Sequence, residues 1–158
     1  MATFEESLRH TGIILPDAAP PAGLYQPAIR IGEFIFTSGQ LPLIEGRLIE
    51  PEGRGSVGID SQERAVNAAR IAAINAVAAL RSAAGSLDEI VRIVRLTVYV
   101  SSAPGFFNQH LVANGASSLI AEIFGDAGRH VRSAVGVVAL PLDASVEVEL
   151  VAACLPPH

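Results

Sequence analysis

Three residues near the C-terminal end combine types and spacing that could do chemistry: Arg132, Glu147 and Glu149. They lie in two apolar runs, 131–138 and 145–153, separated by Leu140-Pro141-Leu142-Asp143. Strands of valine and alanine have no packing reason to carry an arginine and two carboxylates. Residues two apart on a strand point to the same face. Arg132 therefore shares a face with Ala134 and Gly136, and Glu147 shares one with Glu149. The two runs read as a hairpin with a tight Leu-Pro-Leu-Asp turn, which could bring a guanidinium and a carboxylate to one end of a sheet. The arginine fork matches a small carboxylate bidentately and stays charged at any working pH. A carboxylate within reach of a bound water can act as general base. Position alone fits equally well a surface ion pair between Arg132 and either glutamate.

The elements that must position these groups follow from periodicity. Thr3-Phe4-Glu5-Glu6 fits a capping box, with a short helix to about His10 and Gly12 as its stop. Pro16 and Pro20-Pro21 keep the next segment extended. The runs 28–31 and 34–38 flank Gly32-Glu33, a two-residue hairpin signal. Residues 46–58 hold four Gly and one Pro and read as a loop with freedom to move. Asp60 is the expected cap of a long helix, with Glu63 as its reciprocal partner. Val66, Ala69, Ala73, Val77 and Leu80 form the buried stripe of that helix, and Gly85 ends it. The run 90–100 is apolar on both parities, so it reads as a central strand covered on both faces. A second helix is expected over 104–124, stopped by Gly125. The order β-β-α-β-α-β-β gives an α+β fold, a mixed sheet with two helices packed on one face. Helices for one face only leave the other for another subunit.

Composition narrows the classes. At 158 residues the chain is long enough for one domain with a real core. Net charge is −5 and all basic residues are arginine, spread along the chain, which argues against a dedicated nucleic-acid surface. The single Cys154 excludes an intrachain disulfide and reads as a small hydrophobe at a strand end. No run approaches the ~18 apolar residues of a membrane span, and residues 1–10 lack the apolar core of a secretory signal. A soluble cytoplasmic protein is expected. No His, Asp and Glu cluster has metal-ligand spacing, so neither a metal nor a cofactor is expected. Gly53-Arg54-Gly55 is too short for a phosphate loop, and no Gly-x-Ser-x-Gly elbow is present.

Five motifs in order carry a family resemblance. Leu24-Tyr25-Gln26-Pro27-Ala28 is similar to a Gly-x-Tyr-x-x-Ala opening motif. Ser38-Gly39-Gln40-Leu41-Pro42 is similar to a Ser-Gly-Gln-x-Pro signature. Ala84-Gly85 through Ile90-Val91 resembles the boundary before the central strand. Arg132-Ser133 with Leu140-Pro141, and Val146-Glu147-Val148-Glu149, resemble the closing motifs. Together they resemble the RidA family (YjgF, reactive intermediate deaminase), also labelled endoribonuclease L-PSP or chorismate-mutase-like. The resemblance covers about 22–153. Residues 1–21 are read as an N-terminal extension and 22–158 as the RidA-like domain. Gly12-Ile13-x-Leu15-Pro16 resembles a longer bacterial subgroup.

The resemblance implies a homotrimer with its sheets inward and a small pocket at each subunit interface. It implies hydrolysis of enamine and imine intermediates, such as 2-aminoacrylate, to 2-oxo acids and ammonia. Arg132 would grip the substrate carboxylate and Glu147 would orient or activate water, with Glu149 facing away. Tyr25 would bind substrate or wall the pocket; as an interface aromatic it fits equally. Ser38 and the Gly39 backbone would meet polar ligand atoms, or simply form a turn. Asn114 falls near a family asparagine at a spacing one residue longer to Arg132, and Asn108 competes for that role. His130 shares the parity of Arg132, although a lone histidine is more often structural. Ala134 stands where many members carry cysteine. The competing readings are a non-catalytic small-carboxylate-binding or chaperone-like trimer and, less favoured by the acidic composition, a ribonuclease. Chorismate mutase shares the fold alone.

Overall fold

The computed structural model describes residues 2–18 and 23–157. Pro20-Pro21 and the expected boundary between 21 and 22 lie outside them. The capping box forms: the Glu6 N–H donates to the Thr3 hydroxyl at 3.2 Å, and the Thr3 N–H donates to the Glu6 carboxylate at 2.9 Å. It opens α1 (Phe4–Thr11), which Gly12 closes at φ 72°. This helix is built into the domain. The Phe4 ring meets Phe124 edge-on at 5.0 Å. The Glu5 carboxylate accepts from Arg81 and from the Leu87 N–H, both at 3.0 Å.

The first hairpin forms as expected. β1 (Ala28–Ile31) and β2 (Phe34–Thr37) are joined through Gly32 at φ 59°, with Ile31 opposite Phe34. The Gly-rich segment after it differs from expectation. A small hairpin of β3 (Leu43–Ile44) and β4 (Arg47–Leu48) begins it. The remainder is tied down by backbone bonds from Gly55 to Asp143 (2.8 Å), Val57 to Ser101 (2.7 Å) and Ser145 to Gly53 (2.8 Å). Glycine here serves tight turns inside an anchored segment, not a free loop.

α2 (Gln62–Ala84) carries the expected stripe and ends at Gly85, φ 88°. Its start is different: Ile59–Ser61 forms a 3-10 turn, and the Ser61 hydroxyl accepts from the Gly58 N–H at 3.0 Å. The Asp60 capping box does not form. The second long helix, α3 (Gln109–Phe124), starts five residues later than expected, because Gly105 adopts φ 80° and the Phe106 N–H closes a turn on Ala103. α2 and α3 pack closely. A Cβ at Gly115 would overlap the Val66 carbonyl, so glycine is what lets the two backbones approach.

The sheet has the order β1-β2-β7-β5-β6, with β5 (Ile90–Ser101), β6 (Val131–Val137) and β7 (Val146–Cys154). β5 is central, as expected. The expected β6–β7 hairpin is absent. β6 pairs parallel to β5, across the α3 crossover, and β7 returns to insert antiparallel between β2 and β5. A 3-10 turn at Pro141–Asp143, with Leu142 and Asp143 at φ 59° and 61°, connects them. Two register irregularities in β5, before Arg92 and before Arg95, also break its simple alternation. They bring Ile90, Ile93 and Leu96 all into the core, which strict period two forbids.

The helices cover one face of this sheet. Leu96, Val98, Val100, Val146, Val148 and Leu150 are buried there against the alanines of α2. Among the described residues, no element covers the opposite face. One row across all five strands runs Ile29, Phe36, Val151, Arg95, Val131. Ile29, Ile31, Phe34, Phe36, Val131 and Val135 are exposed on this open face.

Candidate functional site

Register decides where the chemistry sits. Arg132 lies opposite Leu96, a core residue, so it points to the helix face. Glu147 lies opposite Tyr99 and Glu149 opposite Thr97, so both point to the open face. The expected meeting of Arg132 with Glu147 at one end of a hairpin therefore does not occur within one chain. The two groups stand on opposite faces, on strands that flank β5. The ion-pair alternative is absent too: the contacts of Arg132 are neutral.

On the helix face, Arg132 reaches the first turns of α3. Its Nη1 donates to Asn114 Oδ1 at 2.8 Å and to the Ser117 hydroxyl at 3.1 Å, and its Nη2 donates to the His110 carbonyl at 3.1 Å. Asn114 and Ser117 are three apart on one helix face, and the crossover packs that face over the start of β6. His130 Nε2 lies 3.0 Å from the Ser117 hydroxyl. An open concavity of about 800 Å³ adjoins this cluster, bounded by Ser117, Ala121, Gly128, Arg129, His130 and Arg132. Asn108 is elsewhere, at the start of α3, where its amide donates to Gln62 at 2.9 Å. Between the two asparagines, Asn114 is the one beside Arg132. Ala134 stays on the Arg132 face as the side-chain alternation requires.

On the open face, Gln40 and Val148 exchange backbone bonds of 2.7 and 2.9 Å. That bridge presses Gly39 onto Glu147, where any Cβ would overlap the carboxylate. Glu147 is half-buried, and among the described residues no group donates a hydrogen bond to it. Burial and the neighbouring Glu149 charge both raise its pKa above the ordinary glutamate range. Glu149 does not face away: it shares this face and accepts from the Tyr99 hydroxyl at 3.0 Å. Desolvation first, and then that bond, push the Tyr99 phenol up. The Ser38 hydroxyl donates to the Gln26 carbonyl, which leaves its lone pairs but not its proton for a ligand. Tyr25 is exposed beside Gly23.

Sequence reasoning missed Ser117, Tyr99 and the His110 carbonyl. Ser117 was discoverable as the i+3 neighbour of Asn114. Tyr99 was discoverable only with the β5–β7 register, and the carbonyl has no side-chain signal. Among the described residues, no three His, Cys, Asp or Glu side chains are grouped to hold a metal, and no helix is long and apolar enough to cross a membrane. Cys154 is buried at the end of β7, and burial raises its thiol pKa.

Comparison with known proteins agrees with this architecture. Residues 5–154 match a family model described as YjgF/chorismate mutase-like, with a provisional endoribonuclease label. Protein TCP17 of Trypanosoma cruzi is 42% identical over 146 residues, 90% of this chain and 89% of that protein. The crystal structure of Atu1372 from Agrobacterium tumefaciens, a protein of unknown function, superposes with a TM-score of 0.85 at 40% identity, covering 96% of this chain and 92% of that one. The Escherichia coli TdcF structure, which holds bound serine, superposes with a TM-score of 0.62 at 27% identity, covering 90% and 98%. On the match to the family model and to these relatives over most of its length, this chain belongs to the YjgF/chorismate mutase-like (RidA) family.

Proposed function

We propose that this protein hydrolyses enamine and imine intermediates of the 2-aminoacrylate type to 2-oxo acids and ammonia, at a site assembled from two copies of the chain. The observation that carries the reading is the division of the polar groups. On one face lies a guanidinium bonded only to neutral acceptors, and on the other a carboxylate with no paired cation among the described residues, beside an uncovered apolar sheet. β6, which carries Arg132, is an edge strand, so a homotrimer in which the open face of one copy runs up to that edge of its neighbour would bring Glu147, Gly39, Ser38 and Tyr25 of one copy to Arg132 and Asn114 of the next. Serine in TdcF is a small amino acid with the carboxylate and nitrogen such a pocket would hold.

In the reaction, the enamine takes a proton from solvent at its terminal carbon to give the protonated imine, and the proton is returned to solvent at the end. Arg132 holds the carboxylate through donors not already spent on α3. Glu147 removes a proton from water as the oxygen adds to the imine carbon. The same proton passes to nitrogen, the C–N bond breaks to release ammonia, and the hydroxyl proton leaves as the carbonyl forms. A carboxylate with a raised pKa is a stronger base for this step. The charge of −5 with no lysine favours this small-molecule chemistry over RNA cleavage.

The test is complementation. Arg132→Ala and Glu147→Ala should each be inactive alone. Mixed equally and reassembled, they should regain activity at about a quarter of the sites, because each site draws on two subunits. A wild-type monomer in sedimentation velocity, or mixtures that stay inactive while wild type turns over, would overturn the shared site. Wild type that binds pyruvate without hydrolysing an imine would make it a carboxylate-binding protein.

A further inference from the structure

Behind Arg132 stand two polar side chains whose hydrogens can be arranged in one way only when the histidine is neutral. The Gly128 carbonyl oxygen lies 2.6 Å from His130 Nδ1. A carbonyl only accepts, so Nδ1 carries the proton and Nε2 of the neutral ring is an acceptor. The Ser117 hydroxyl, 3.0 Å from Nε2, must then donate to it. That turns the serine lone pairs toward Arg132, whose Nη1 donates at 3.1 Å. The chain of donors runs without conflict from guanidinium to serine to imidazole to backbone.

We propose that Ser117 and His130 are positioning residues that set the plane of the Arg132 guanidinium before substrate arrives. The proposal rests on the reading of Arg132 as the group that holds a carboxylate. Three of the five guanidinium N–H groups are committed, to Asn114, Ser117 and the His110 carbonyl. Nε–H and one Nη2–H remain for a ligand. An arginine side chain left free would lose rotamer entropy on binding; one already held loses little. The Gly128 carbonyl belongs to the turn that follows α3, and a Cβ at Gly128 would come within 2.8 Å of the Ile120 carbonyl oxygen. The end of the relay is therefore fixed by backbone packing. His130 is thus coupled to the chemistry without touching it.

Ser117→Ala should raise KM for a carboxylate-bearing imine about tenfold, equivalent to about 1.4 kcal/mol, while kcat stays near wild type because Glu147 is untouched. Ser117→Thr, which keeps the hydroxyl, should restore KM. His130→Leu should raise KM about threefold, since the hydroxyl then loses its acceptor but not its place. A purely structural role would lower melting temperature and active fraction with KM unchanged, and that result overturns the proposal. Nitrogen NMR of the purified protein reads the relay without turnover. The His130 ring should carry its proton on Nδ1, and the Arg132 Nε–H signal should broaden in Ser117→Ala. A His130 ring protonated on Nε2, or an Arg132 signal indifferent to Ser117→Ala, overturns the relay. A wild type with no imine hydrolysis but with the Nδ1–H form and the Ser117-dependent Arg132 signal overturns the hydrolase reading and upholds the relay.

Discussion

The two halves of the candidate site are built on opposite terms. Arg132 is held by three hydrogen bonds that it donates to one helix, all to neutral acceptors. Glu147 receives no hydrogen bond among the described residues, is half-buried, and lies beside a second carboxylate. The first arrangement costs the fold little and fixes a cation in place. The second leaves a charge badly solvated, so that its carboxylate gains from taking a proton. Glu122 shows what the same residue type does when paired: Arg70 grips it with two bonds of 2.8 and 2.7 Å and its pKa falls. A carboxylate meant for structure is satisfied; one meant to take protons is left wanting them.

The largest test of this contrast is Glu147→Gln. General-base loss should lower kcat by ~10²–10⁴-fold with little change in the affinity for a 2-oxo acid. The same change should raise the melting temperature at pH 7. Because the folded pKa is raised, the contribution of Glu147 favours the fold below the ordinary glutamate range and is lost as pH rises through the raised value. The gain of the glutamine variant should therefore shrink when melts are repeated near pH 4. Equal melting temperatures at both values would mean that Glu147 is not desolvated.

Arg132→Lys should come next. It keeps the charge but loses the parallel donors and the fit to α3. Turnover of a carboxylate-bearing imine should fall roughly ten- to a hundred-fold, measured as kcat/KM. Asn114→Ala removes one of three supports of the guanidinium, and a KM increase of about three- to tenfold is expected. A larger effect than that of Arg132→Lys would mean that Asn114 touches substrate itself.

Glu149→Gln has the smallest effect and the sharpest signature. The family resemblance implied that Glu149 faces away from the chemistry, which would make this change silent. On the open face it instead contributes charge against Glu147. Its removal should lower the Glu147 pKa and move the acid limb of the kcat/KM profile to lower pH, with the plateau nearly unchanged. An unmoved limb would show that burial alone sets the Glu147 pKa.

Local patterns were legible; long-range pairing was not. The Thr3 box, the β1–β2 hairpin, the α2 stripe and central β5 each follow from residues within one or two turns of each other, where periodicity and cap chemistry act. The supposed β6–β7 hairpin failed because two apolar runs around a Pro turn look identical whether they pair with each other or with a third strand. Only the crossover through α3 and the two-sided hydrophobicity of β5 distinguish the cases. That error carried the face assignments with it, since the face of Arg132 depends on its being opposite Leu96. The residues singled out and the geometry expected for them part company here. Arg132, Asn114, Glu147 and Gly39 were all named, but as one cluster where the chain makes two.

The insertion of β7 has a consequence for how the molecule is made. β7, the last of these strands in chain order, is an interior strand, between β2 and β5. Until it arrives, the N-terminal hairpin and the central strand have no partner to join them, and Gly39 has no Glu147 to close upon. From the completion of β5 until β7 is made, a nascent chain thus carries two bare strand edges. Closing them requires contacts across more than a hundred residues, such as the bond from the Leu150 N–H to the Thr37 hydroxyl at 2.9 Å, 113 positions apart. Folding should be slow for this size and intolerant of the loss of β7. The base half of the site comes into being only when β7 is in place.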